Sequence, residues 1–132
     1  MKKLVAIFTL LFSTTTFISP AYAEWSSVAY NIEGDHYHID FSRIRKHDGN
    51  IYYWELLDLL KPSRHGFLSA LTYKQGNCSK FGFKILSEQY FKTAMATGVA
   101  DLTYSTPEEN WRYPTPGSVN ELVLTEICDR VS

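Results

Sequence analysis

The sequence predicts an α+β domain: a single antiparallel β-sheet of about six strands with one C-terminal α-helix packed on it and tied to it by a disulfide. Three observations carry that expectation. Short apolar runs punctuated by turn residues extend from Trp25 to Tyr104, the pattern of successive strands. Only the end of the chain, after Pro116-Gly117, has helical spacing behind a helix-start signal. The two cysteines, Cys78 and Cys128, fall in the sheet region and in that helix, so a bridge between them would staple one layer to the other.

The chain begins with Lys2 and Lys3, an apolar run from Leu4 to Phe12, and a Ser/Thr-rich stretch ending Pro20-Ala21-Tyr22-Ala23. These are the parts of a signal peptide over residues 1–23, cut between Ala23 and Glu24, with small residues at the cleavage positions. The apolar run is far shorter than the roughly 20 residues of a spanning helix. A lipoprotein would carry cysteine at the first mature position. Glu24 stands there, so the expectation is an exported protein without a lipid or membrane anchor, periplasmic or secreted. Residues 24–132 then make one domain. Losing the two leader lysines takes the formal charge from −1 to −3, and with no global basic field a nucleic-acid partner is not expected. An even pair of cysteines in an oxidising compartment is read as a disulfide.

In order along the mature chain, Trp25 to Asn31 and His36 to Phe41 read as a hairpin around Glu33-Gly34-Asp35. Lys46 to Asn50 is a turn, with Asp48-Gly49 supplying positive backbone angles. Ile51 to Leu60 is apolar on both faces, as in a central strand with neighbours on each side. Pro62 to Gly66 breaks the pattern, Phe67 to Tyr73 resumes it, and Gly76-Asn77 reads as the next turn. Phe81, Phe83 and Ile85 alternate with Lys80, Gly82 and Lys84, one face buried and the other wet and basic. Val99 to Tyr104 is the sixth strand. Ser118-Val119-Asn120-Glu121 is a capping box, and Val123, Leu124, Ile127, Cys128 and Val131 share one apolar helix face from Val119 to about Arg130.

Few residues suggest chemistry. His36, His38 and Asp40 would share one face of a strand, a weak metal pattern because a closed site needs further ligands, and His47 and His65 sit in loops. No strained-turn nucleophile or glycine-rich phosphate loop is present, and Glu108-Glu109 reads as solvated charge, so no catalytic residue and no enzyme are expected. A binding reading remains. Lys80 and Lys84, with Lys74 and Lys92 near the same strand ends, form a tentative face for an acidic partner; the alternative is a lysine face that blunts sheet aggregation. Surface aromatics such as Tyr52 or Tyr104 could anchor a partner.

The order of landmarks adds to this. Tyr37-His38-Ile39-Asp40, Trp54-Glu55-Leu56, Cys78 after a tyrosine-bearing strand, Gly98, and Trp111 followed by Pro116-Gly117-Ser118 and a helix carrying Cys128 resemble the surface-adhesin protein E family across the mature chain. The resemblance implies a sheet of about six strands with the helix on its concave face. It also implies a non-enzymatic binding protein whose partners are a host extracellular-matrix protein and, as a ligand, haem. Two other readings stand beside it: a periplasmic accessory or structural envelope protein, favoured by Glu24, and a His-x-His metal-binding protein or enzyme.

Overall fold

The computed structural model describes residues 23–132. All of the expected signal peptide except Ala23 lies outside the described residues. Among the described residues, seven strands, β1 (Ser26–Tyr30), β2 (His36–Ile39), β3 (Arg45–His47), β4 (Asn50–Asp58), β5 (Ser69–Asn77), β6 (Gly82–Phe91) and β7 (Leu102–Tyr104), precede one α-helix, α1 (Val119–Val131). They form one antiparallel sheet in the order β1-β2-β4-β5-β6-β7, with β3 also paired to β4. The α+β expectation is met.

The strand beyond the expected six is β3. Asp48 and Gly49 take φ of 49° and 76°, a two-residue turn whose twist suits a hairpin. Arg45–His47 therefore folds back onto Asn50–Tyr52 instead of belonging to a longer turn. β4 is central as expected, with β2 and β3 on one side and β5 on the other. The sixth expected strand is shorter than read, since only Leu102–Tyr104 pairs with β6.

The turn expected at Gly76-Asn77 lies further on. Both residues belong to β5, and the chain reverses over Cys78–Phe81. Asn77 Oδ1 accepts the Lys80 N–H at 2.8 Å, a side-chain turn closure. Phe81, expected to be the first inward residue of a strand, sits in this turn with φ of 53°. Gly76 serves packing instead. A Cβ there would lie 3.2 Å from both Ile51 and Tyr53, so its absence lets the core close against the strand.

Helix α1 begins as the capping signal requires, with Ser118 Oγ accepting the Glu121 N–H at 3.2 Å. Glu121 reaches back to the N–H of Gly117 at 3.2 Å, because the Ser118 N–H already donates to Thr115 O at 3.0 Å. Val123, Leu124 and Ile127 are buried. Val123 and Ile127 pack with Ala29, Ile39, Ile51 and Tyr53 into the core, each of the valine and isoleucine side chains contributing about 1.5–3 kcal/mol on burial. Cys128, on the same face, is bonded to Cys78, with the two Cα atoms 5.7 Å apart. At the helix C-terminus the Lys46 ammonium donates to Val131 O, and the Arg130 guanidinium lies 4.1 Å from the Phe41 ring centre. Both charges suit the negative end of the helix.

Candidate functional site

Directly opposed residues of an antiparallel sheet point to the same side, and successive residues alternate. Ile51, Tyr53, Glu55 and Leu57 of β4 therefore face the helix, and Tyr52, Trp54, Leu56 and Asp58 face away from it. The far side has no helix on it among the described residues. Only the 3-10 turn Ala94–Ala96 folds over one end, where Met95 N–H donates to Asp58 Oδ1 at 2.7 Å and Ala96 N–H to Ser69 Oγ at 2.8 Å.

The rest of this open face carries an aromatic group. Trp54 and Tyr73 are directly opposed, with ring centres 4.6 Å apart, and Tyr52 lies 6.3 Å from Tyr73. All three are half-buried. A single cross-strand row runs Arg45, Tyr52, Gln75, Lys84, with a cation at each end. Ser87 and Gln89, opposite Tyr73 and Leu71, share the face. The strand carboxylates lie elsewhere. Glu55 and Glu88 both oppose Thr72 on the helix side, and Asp58 is engaged by Met95 at the covered end.

Lys84 of the predicted basic face is thus on the open face, and Lys80 joins it from the turn. Their Nζ atoms lie 4.8 and 4.9 Å from the Trp111 ring centre, within reach of its negative π face. The segment before the helix sets Trp111 there. Arg112 and Phe83 exchange backbone hydrogen bonds at 2.8 and 2.9 Å, and Glu108 N–H donates to Ile85 O at 2.9 Å. This pins residues 108–112 along the outer edge of β6, and alternation turns Trp111 toward Lys84.

Three sequence expectations fail here. Lys74 is not on the basic face. It opposes Tyr53 on the helix side, where its Nζ donates to Glu55 Oε2 at 2.9 Å, both side chains almost wholly buried. Lys92 is exposed just past β6 and is not part of the row. Glu108 is not simply solvated. Its carboxylate accepts the Ile85 N–H at 3.1 Å and pairs with Arg112. Burial works to raise its pKa, but the bonds from Arg112 and Ile85 outweigh that and hold it below the usual carboxylate range.

Asp40 does not join the histidines either. It lies beyond β2, fully buried, capping the 3-10 turn Phe41–Arg43, where Ser42 N–H donates to it at 3.0 Å and Arg43 Nε at 2.6 Å. Burial would raise its pKa, and the Ser42 and Arg43 bonds bring it below normal. His36 and His38 do share the open face, with ring centres 6.1 Å apart. Burial lowers the His38 pKa despite the neighbouring Asp58 carboxylate, favouring neutral imidazole at neutral pH, and its Nδ1 is buried without a hydrogen-bond partner among the described residues. No group of three His, Cys, Asp or Glu placed to hold a metal occurs among the described residues. His47 lies in β3 and His65 in the β4–β5 connection, away from the pair.

On the helix side, past the end that α1 covers, lies a groove of about 430 Å³ lined by Leu57, Phe67, Ala70, Tyr90, Leu102 and Tyr104, with His65 contributing from the β4–β5 connection. The Tyr90 ring centre is 5.4 Å from that of Phe67 and 6.2 Å from that of Tyr104. Sequence reasoning named Tyr52 and Tyr104 as possible anchors but missed Trp54, Tyr73, Arg45 and Trp111. The alternation of Tyr52 and Trp54 with Ile51 and Tyr53 is the signal that separates the two faces.

No helix among the described residues is long and apolar enough to cross a membrane. No curated protein matches the chain. The family model described as Surface-adhesin protein E matches residues 25–129. Among solved structures, crystal form II of Haemophilus influenzae protein E matches with a TM-score of 0.60 at 15% identity, over 80% of this chain and 87% of that chain. The structural likeness speaks for the fold, the sheet with its terminal helix. With the family match spanning all seven strands and nearly all of α1, the chain belongs to the surface-adhesin protein E family.

Proposed function

We propose that this adhesin-like binding protein is a non-enzymatic module that docks a host extracellular-matrix protein on the open face of its sheet. The observation that carries the reading is the half-buried Trp54, Tyr73 and Tyr52 on a face that the helix leaves free, with Arg45 and Lys84 at its margins. Tryptophan, tyrosine and arginine are the residue types that dominate binding energy at protein interfaces. In this reading the leader is removed between Ala23 and Glu24, and residues 24–132 are released to the periplasm or the medium without a lipid anchor. Purified residues 24–132 should bind immobilised matrix proteins. Truncating an anchor costs about 2 kcal/mol, so Tyr73→Ala and Trp54→Ala should each weaken binding about 30-fold, while Thr125→Ala, on the exposed side of the helix, leaves it unchanged. Undiminished binding by both folded variants would move the docking site elsewhere.

Haem, which the family resemblance implies, is favoured by the separate groove on the helix side. Leu57, Phe67, Tyr90 and Tyr104 offer apolar and aromatic walls and His65 an imidazole beside them, the donor and surroundings a macrocycle needs. Bound haem would supply iron chemistry or simply be carried. Titration followed by the Soret band should saturate, and His65→Ala should weaken binding at least about tenfold, with Lys84→Gln unaffected. An unchanged spectrum and affinity in His65→Ala would remove this groove from consideration.

A further inference from the structure

We infer that the open face takes an anionic polysaccharide chain, laid across the strands between Arg45 and Trp111; the inference rests on reading that face as the binding surface and names the partner's chemistry. The face combines three kinds of group. Trp54, Tyr73 and Tyr52 form a platform of flat rings, and the C–H faces of sugar rings stack on such surfaces. Gln75, Gln89 and Ser87 lie on the same face, and amides and hydroxyls both donate and accept, which matches sugar hydroxyls. Cations occupy the margins: Arg45 and Lys84 end one row, separated by three strand spacings or roughly 14 Å, and Lys80 meets Lys84 at Trp111.

Charge complementarity selects an anionic chain. The whole sequence has a formal charge of −1, yet the strand carboxylates Glu55 and Glu88 lie on the helix side, and Asp58 is bonded to Met95 at the covered end. The strand side chains left at the margins, Arg45 and Lys84, are positive and spaced apart, fitting anionic groups distributed along a polymer, with the exposed Glu109 two residues from Trp111 as an acid at that end. A nucleic-acid strand would call for a continuous basic groove tracking each phosphate, and the neutral amides between the cations here do not provide one. An acidic protein surface would engage the cations and the rings, whereas the repeated hydroxyls of a sugar chain also engage the neutral Gln75, Gln89 and Ser87 between them.

The test measures binding of purified residues 24–132 to a sulfated heparin-type oligosaccharide, its desulfated but carboxylated counterpart, neutral dextran, an oligo-dT of similar length, and a deglycosylated matrix protein. The sulfated chain should bind. Lys80→Gln with Lys84→Gln should weaken it at least about tenfold and lower the slope of log K against log salt by about two. Tyr73→Ser should weaken it about tenfold with the salt slope unchanged. The two lysines are at the surface, so that double variant keeps its fold, and circular dichroism checks the Tyr73→Ser variant. Tight binding of the desulfated chain as well would assign carboxylates as sufficient anions and support the inference. Equal binding of dextran or oligo-dT, or undiminished binding by the lysine variant, overturns it. Binding to the deglycosylated protein alone overturns the sugar chain while leaving the docking face in place; binding to none of these removes both.

Discussion

Replacing Lys74 by methionine is expected to cost about 3–5 kcal/mol of folding stability, much of what a domain of this size has. The Lys74 ammonium lies 2.9 Å from Glu55 Oε2 and 4.7 Å from the Phe83 ring centre, with 6% and 7% of the two side chains exposed. Removing the cation leaves the Glu55 carboxylate almost wholly buried without its partner. The double variant Lys74→Met with Glu55→Leu removes both charges and should regain most of the loss. Urea unfolding of the two variants checks this. A double variant as unstable as the single one would show that the pair is valued for its packing and not for its charge balance.

The second large effect is loss of the bridge. Cys78→Ala with Cys128→Ala releases a loop whose ends are 50 residues apart in sequence, and the chain-entropy account gives about 4 kcal/mol for such a closure. The loss should also be uneven. The sheet keeps its full ladder of backbone hydrogen bonds, whereas α1 is left with its cap, the contacts of Lys46 and Arg130, and its apolar face. Hydrogen exchange on reduced protein should therefore show α1 amides opening before those of β4 and β5. Sheet amides that exchange first, or together with the helix, would mean that the bridge secures the whole fold and not the helix alone.

Much of this architecture was legible residue by residue. Ser118 and Glu121 announced the helix, Asp48-Gly49 the hairpin, and the two cysteines the staple between layers, because each acts through local chemistry or a compartment rule. Where reading failed, the cause was tertiary. Lys74 looked like surface charge because its partner, Glu55, is 19 residues away and meets it only once β4 and β5 pair. Gly76 looked like a turn residue because the Ile51 and Tyr53 side chains that exclude a Cβ lie on another strand. Asp40 continued the alternation of His36 and His38 on paper, but the chain leaves the sheet at Ile39 to begin a turn that needs a cap.

β4 shows the same limit at the candidate site. Its apolar residues on both sides predict a central strand with neighbours on each side, and of its aromatic residues only Tyr52 is singled out as a surface anchor. Ile51 and Tyr53 are core, while Tyr52 and Trp54 lie on the side the helix leaves free. Nothing in a strand's own sequence says which of two apolar sides a single helix will choose. The placement of Lys80, Lys84 and Trp111 together depended likewise on residues 108–112 pairing along β6.

The helix sits on one side of the sheet, and Ala29, Ile39, Ile51, Tyr53, Val123 and Ile127 all meet there. That asymmetry separates two kinds of selection. On the docking face proposed above, substitutions at Tyr52, Tyr73, Gln75 or Lys84 would change what is bound without entering the cluster that holds α1 in place. The fold is shared with Haemophilus influenzae protein E at 15% identity, so the sheet and its terminal helix tolerate replacement of most of their residues.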